Sequence, residues 1–89
     1  MNKIIELITN DYYKVLSIIY ENQITVDGET YCPLSQEKIA SIAGVSRNTI
    51  GTIVKNLKQQ NLIYCKENET KKYFLNQETV DVIKKIKKM

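Results

Sequence analysis

Apolar and polar positions along this chain alternate between helical and strand-like spacing, and each change of period marks an element. Tyr12, Val15, Leu16, Ile19 and Tyr20 stand three and four apart, on one face of a helix over about residues 10–22. Thr9 and Asn10 can each cap it, and Asp11 stands where a carboxylate favours a helix N-terminus. Upstream, Ile4-Ile5-Glu6-Leu7-Ile8 is apolar around one charge and reads as a short helix or arm over residues 1–9. Residues 24–32 alternate and are rich in β-branched side chains, with the tight-turn pair Asp27-Gly28 at their middle. They read as a small hairpin or as a loop leading to one strand. Pro33 ends the segment, because proline cannot donate to a sheet ladder.

Ser35 then caps a short helix whose apolar positions are Ile39, Ala40, Ile42 and Ala43. Gly44 stops it, as a residue that tolerates positive φ does, and Val45 plugs the turn. Ser46 caps the next helix, over about 46–60. There Ile50, Ile53, Val54 and Leu57 form an i, i+3, i+4, i+7 stripe. Asn61 suits a left-handed helix end, with Leu62 folding back on the last turn. The apolar runs 62–65 and 73–75 flank the polar segment 66–72 and read as a hairpin with a charged tip. Asn76 caps a last helix over 76–89. Its apolar residues are Val80, Ile83 and Ile86, and its basic ones Lys84, Lys85, Lys87 and Lys88.

Composition narrows the classes of function. The 89 residues suit one small domain, which buries roughly 60% of its unfolded surface. The hydrophobic fraction of 43% and charged fraction of 26% are those of an ordinary globular chain. No apolar run approaches the roughly 20 residues of a membrane span, and residues 1–10 lack a small-residue cleavage site, so a cytoplasmic protein without membrane contact is expected. With no histidine, Cys32 and Cys65 are too few for a zinc site and read as reduced strand residues. No phosphate-cradling glycine loop and no nucleophile motif is present, so neither catalytic residues nor a cofactor are expected. Charge is uneven: residues 1–30 carry two lysines against five carboxylates, and residues 31–89 carry eleven basic against five acidic side chains. That asymmetry points the C-terminal two-thirds toward a polyanion.

If the 50–57 stripe faces a core, the opposite face of its helix presents Arg47, Asn48, Gly51, Thr52, Lys55 and Gln59. Arginine bonds guanine bidentately, and Asn or Gln does the same to adenine. Thr49 and Thr52 can meet a thymine methyl or a phosphate. Amides near Ser46 can hold a phosphate at the helix N-terminus, and Lys55 and Lys58 lie further along, where phosphates run. Gly51 invites either close backbone approach, by DNA or a partner helix, or a tolerated mid-helix glycine. In the second hairpin, Lys66, Lys71 and Lys72 can reach phosphates, whereas Glu67 and Glu69 repel them.

The order helix, strand-like segment, helix, turn, helix, hairpin, helix over roughly residues 10–75 resembles the winged helix-turn-helix family. Ala40, Gly44, Val45, Ile50 and Ile53 match its tri-helical signature, and Ser46-Arg47-Asn48-Thr49 resembles the opening of a recognition helix. The resemblance implies an α+β fold: a three-helix core with a small antiparallel β-hairpin wing, flanked by extra N- and C-terminal helices. It implies sequence-specific double-stranded DNA binding without catalysis, by a transcriptional regulator that acts as a homodimer. A narrower similarity of Tyr31-Cys32-Pro33-Leu34-Ser35-Gln36 to plasmid and phage replication or maintenance domains implies the alternative of a centromere-binding partition adaptor or origin binder. Such a protein hands DNA to a motor or replisome partner. A winged helix that binds protein is a second alternative.

Overall fold

The computed structural model describes residues 11–66 and 69–88, with the side chains of residues 69 and 70 left aside. The arm expected over 1–9, the caps at Thr9 and Asn10, and Glu67 fall outside those residues. In chain order the elements are α1 (Asp11–Glu21), β1 (Ile24–Val26), β2 (Glu29–Tyr31), α2 (Gln36–Ala43), α3 (Arg47–Gln59), β3 (Ile63–Lys66), β4 (Glu69–Leu75) and α4 (Gln77–Lys87). This is the α+β winged helix-turn-helix arrangement that the resemblance implies.

Each helix begins and ends for a local reason. The Ser35 hydroxyl accepts the amide of Lys38, Ser46 accepts that of Thr49, and Asn76 accepts that of Thr79. Gly44 ends α2 at φ 74°, and the Val45 amide bonds back to the Ala40 carbonyl at 3.1 Å. That six-to-one bond is the signature of a Schellman end. Asn61 repeats the device at φ 60°, with the Leu62 amide on the Leu57 carbonyl and the Asn61 amide on that of Lys58. Two left-handed residues therefore set the directions in which the chain enters and leaves α3.

The ambiguous segment 24–32 is a hairpin. β1 pairs antiparallel with β2, and Asp27 and Gly28 both have positive φ, as a two-residue turn of matching twist requires. Beyond β2, Cys32 exchanges both backbone hydrogen bonds with Tyr73 of β4, at 2.9 and 3.0 Å. This isolated bridge sets the first hairpin beside the second, so that β2 lies next to β4 while the two remain separate two-stranded sheets. The second hairpin differs from expectation. Pairing continues to Lys66 opposite Glu69, with an irregular register between Tyr64 and Lys66. Most of the polar run expected as a tip is therefore strand, because backbone pairing does not depend on side-chain polarity.

The core is built from Val15, Leu16 and Ile19 of α1, Ile39 and Ala40 of α2, and Ile50, Ile53, Val54 and Leu57 of α3, closed by Cys32, Ile63, Tyr73 and Ile83. Several positions depart from the sequence reading. Ile18 is also buried, whereas Ile42 is 50% exposed on the outer side of α2. In α4, Thr79 and Ile83 are buried and Val82 and Ile86 pack against the core, in place of the expected Val80. Thr79 is tolerated inside because its hydroxyl donates to Asn76 Oδ1 at 2.8 Å.

The structure yields two predictions of stability. A side chain at the left-handed Gly44 is strained whatever space surrounds it, whereas a methyl at Gly51, inside α3, would meet nothing within 4 Å. Gly44→Ala should cost about 1–2 kcal/mol and Gly51→Ala should gain up to about 1 kcal/mol, read as opposite shifts of the urea midpoint. Burial pushes the Cys32 thiol and the Tyr73 phenol above their ordinary values of 9.0 and 10.0. Both acids then lose their protons more readily in the unfolded chain. Stability is full below the unfolded values and falls as pH rises, so the urea midpoint should decline from about pH 9 upward, and less steeply in Cys32→Ala.

Candidate nucleic-acid interface

Helix α3 presents the residues that its amphipathic pattern assigns to solvent. Ile50, Ile53, Val54 and Leu57 are buried, and Ser46, Arg47, Asn48, Thr52, Lys55 and Lys58 are exposed. Thr49 and Gly51 are half-buried. The Ser46 hydroxyl donates to Thr49 Oγ1 at 2.8 Å while accepting the Thr49 amide at 3.1 Å, so Thr49 belongs mainly to the cap. Thr52 Oγ1 donates to the Asn48 carbonyl at 3.2 Å. That bond occupies its proton and leaves its methyl and oxygen lone pairs for an approaching surface.

Contacts with neighbouring elements identify the two flanks of this face. On one flank, Arg47 Nη2 lies 3.0 Å from Glu37 Oε1 of α2, and Lys58 Nζ lies 5.8 Å from the centre of the Tyr73 ring of β4. On the other, Asn56 Nδ2 donates to the Tyr12 hydroxyl of α1. There Asp11, Tyr12, Asn48, Thr49, Thr52 and Ile53 line an open groove of about 390 Å³. Sequence reasoning missed Glu37, Asp11 and Tyr12 as neighbours of this face. Each reaches it from another helix, and no spacing along the chain encodes that meeting.

The Arg47–Glu37 pair leaves both side chains at least three-quarters exposed, 80% and 75%. An ion pair that wet contributes about 0.2–1 kcal/mol and yields readily to a better partner. A guanine edge or a phosphate is such a partner, because a bidentate bond in a drier contact is stronger. Asp11 on the opposite flank lies 3.8 Å from Lys14 Nζ and sets a carboxylate beside Thr49 and Thr52. A polyanion is therefore favoured on the Arg47 and Lys55 side of the face and opposed at the Asp11 edge.

The hairpin lysines do not share one role. Lys71 is exposed, while Lys66 pairs with Glu29 and places its ammonium 4.8 Å from the Phe74 ring centre. Lys72 lies 4.7 Å from the Tyr31 ring centre. The charge asymmetry along the chain is likewise reduced in space. Glu21 pairs with Lys87 at 2.9 Å and Glu29 pairs with Lys66, so acidic residues of the first third meet lysines of the last.

Cys32 is buried with its thiol pushed up by desolvation, and no disulfide joins it to Cys65. A thiol of that kind is a core side chain, not a reactive group. Among the described residues no cluster of three or more His, Cys, Asp or Glu side chains could hold a metal. No described helix is long and apolar enough to cross a membrane.

Comparison with curated proteins and with solved structures returned no match. The family model of the Crp-like helix-turn-helix domain matches residues 13–77, from the first turn of α1 to the start of α4. That span contains the whole α2–turn–α3 unit, both hairpins and the candidate contact residues from Ser46 to Lys72. The chain belongs to the Crp-like helix-turn-helix domain family, a winged-helix family that binds DNA.

Proposed function

We propose that this chain is a sequence-specific binder of double-stranded DNA that lays α3 in the major groove and acts as a transcriptional regulator. One observation carries the reading: burial of the Ile50, Ile53, Val54 and Leu57 stripe turns an Arg47, Asn48, Thr52, Lys55 face outward from a helix opened by a Ser46 cap. Arg47 and Asn48 are the base readers, with the Thr52 methyl against a thymine. The free amides at the Ser46 end, Lys55 and Lys58 hold phosphates. The exposed Lys71 adds a wing contact, and Lys66 and Lys72 contribute charge from behind it. Gly51 lies in the middle of this face with open space above it, which permits close approach by the DNA backbone or a base.

In this reading residues 1–89 form one winged domain that works in the cytoplasm as a homodimer, because symmetric pairs of such helices read half-sites about one helical turn apart. The segment 31–36, which runs from the last residue of β2 to the first of α2, supports a role in plasmid or phage maintenance as the alternative. Footprinting decides between them. One protected palindrome assigns a repressor or activator, and a run of direct repeats covered cooperatively assigns partition or replication.

Two further outcomes are expected. On a site selected from random duplexes, Arg47→Ala should cost about 1–3 kcal/mol of affinity and relax specificity at one position, while Lys55→Ala should weaken all sequences alike and reduce the salt slope by about one. Equal binding by Arg47→Ala and the parent chain, measured by fluorescence anisotropy, would remove α3 as the reading helix. Gly51→Ala should weaken duplex binding even though it stabilises the free fold, and undiminished affinity would show that no close approach occurs there.

A further inference from the structure

The outer face of the sheet carries a row of rings that duplex reading by α3 leaves unused. Side chains alternate across a strand. Cys32, Tyr73 and Ile63 accordingly turn into the core, and Tyr31, Phe74 and Tyr64 fall on the opposite face of β2, β4 and β3. The Tyr31 and Phe74 rings lie 5.7 Å apart at 47°, and Phe74 and Tyr64 lie 5.3 Å apart at 17°, close to parallel stacking. The row ends at the outer strand. Tyr31 and Phe74 are covered at 8% and 4% exposure, while Tyr64 is 44% exposed.

Cations flank the row. The Lys66 and Lys72 ammonium groups stand within 5 Å of the Phe74 and Tyr31 ring centres, at 4.8 and 4.7 Å. Glu29 is a carboxylate that faces them, among the described side chains. Its hydrogen bond from Lys66, helped by the charges of Lys66 and Lys72, holds it below the usual carboxylate range.

We propose that this face binds single-stranded DNA, with an unpaired base stacked on Tyr64 as the next ring of the row and its flanking phosphates held by Lys66 and Lys72. A half-exposed ring beside flexible cations is the pairing that unpaired nucleotides recognise, since every base has a π-face and every linkage a charge. Duplex DNA cannot extend the row, because its base faces are already stacked inside the helix. An apolar protein surface would have to strip water from both ammonium groups without replacing it. The site is carried by β2, β4 and β3, apart from the Arg47–Lys55 face of α3, so the two activities are separable.

The test uses the full chain and a fluorescein-labelled oligo-dT of about 12 nucleotides, read by anisotropy at low salt. The parent chain and Tyr64→Phe should bind, with affinity falling as salt rises. Tyr64→Ala should bind about 5- to 100-fold more weakly. Because Tyr64 is half exposed, its removal should leave the far-UV circular dichroism and the duplex affinity unchanged. Arg47→Ala should do the reverse, keeping oligo-dT and losing the selected duplex. The proposal is overturned if the parent chain does not bind oligo-dT, or if Tyr64→Ala binds it as well as the parent. It is also overturned if Tyr64→Ala loses duplex and oligo-dT equally, or if an oligoglutamate peptide of equal charge competes as well as unlabelled oligo-dT.

Discussion

Burial of one stripe on α3 constrains everything that the chain presents to its surroundings. Ile50, Ile53, Val54 and Leu57 are 0–3% exposed, and a helix with those four positions inside can present only one set outside. The two left-handed ends, at Gly44 before α3 and Asn61 after it, aim the neighbouring segments so that the stripe has a core to enter. Rotation of α3 by a quarter turn would bury Arg47 or Thr52 and expose an isoleucine. The cost of an unpaired buried charge makes that arrangement inaccessible. The direction of the candidate reading face is thus a consequence of packing, settled before any ligand is present.

The bridge between Cys32 and Tyr73 plays the corresponding part for the sheet. Isolated two-stranded hairpins are marginal in water, and this bridge ties two of them together over a covered inner face. Once Cys32, Tyr73 and Ile63 point inward, alternation sends Tyr31, Phe74 and Tyr64 to the other side. The same backbone bonds that close the core therefore assemble the ring row on the surface. Lys66 and Lys72 fold over that row, which accounts for two basic residues in a strand region otherwise suited to apolar packing.

Ion pairs at the surface tie elements together across the fold. Arg47 is held by Glu37, Lys66 by Glu29 and Lys87 by Glu21, each pair joining elements distant in the chain. Exposed pairs of this kind add little to stability. They do give each cation a defined position in the free fold. The wing lysines are thereby divided: Lys71 is exposed, and the other two belong first to the rings and to Glu29.

The elements were legible in the chain wherever one local rule decided them. Ser35, Ser46 and Asn76 mark helix starts, Gly44 and Asn61 mark ends, Asp27-Gly28 marks a turn, and the 50–57 stripe assigns the faces of α3. Those features act over four or five residues, within reach of sequence spacing, and together they carried the family and the position of the candidate reading helix. The misreadings have a different origin. Ile42 is apolar at helical spacing yet exposed, and Thr79 is polar yet buried, because burial depends on which neighbours α2 and α4 meet. The polar run after Cys65 is mostly strand because cross-strand amides, not side chains, hold it there. Glu37 beside Arg47, Asp11 beside Thr52, and the alignment of Tyr31, Phe74 and Tyr64 were likewise decided only by tertiary structure. Local hydrogen bonds and periodicity determine which face a segment offers; only packing between distant segments determines what that face meets.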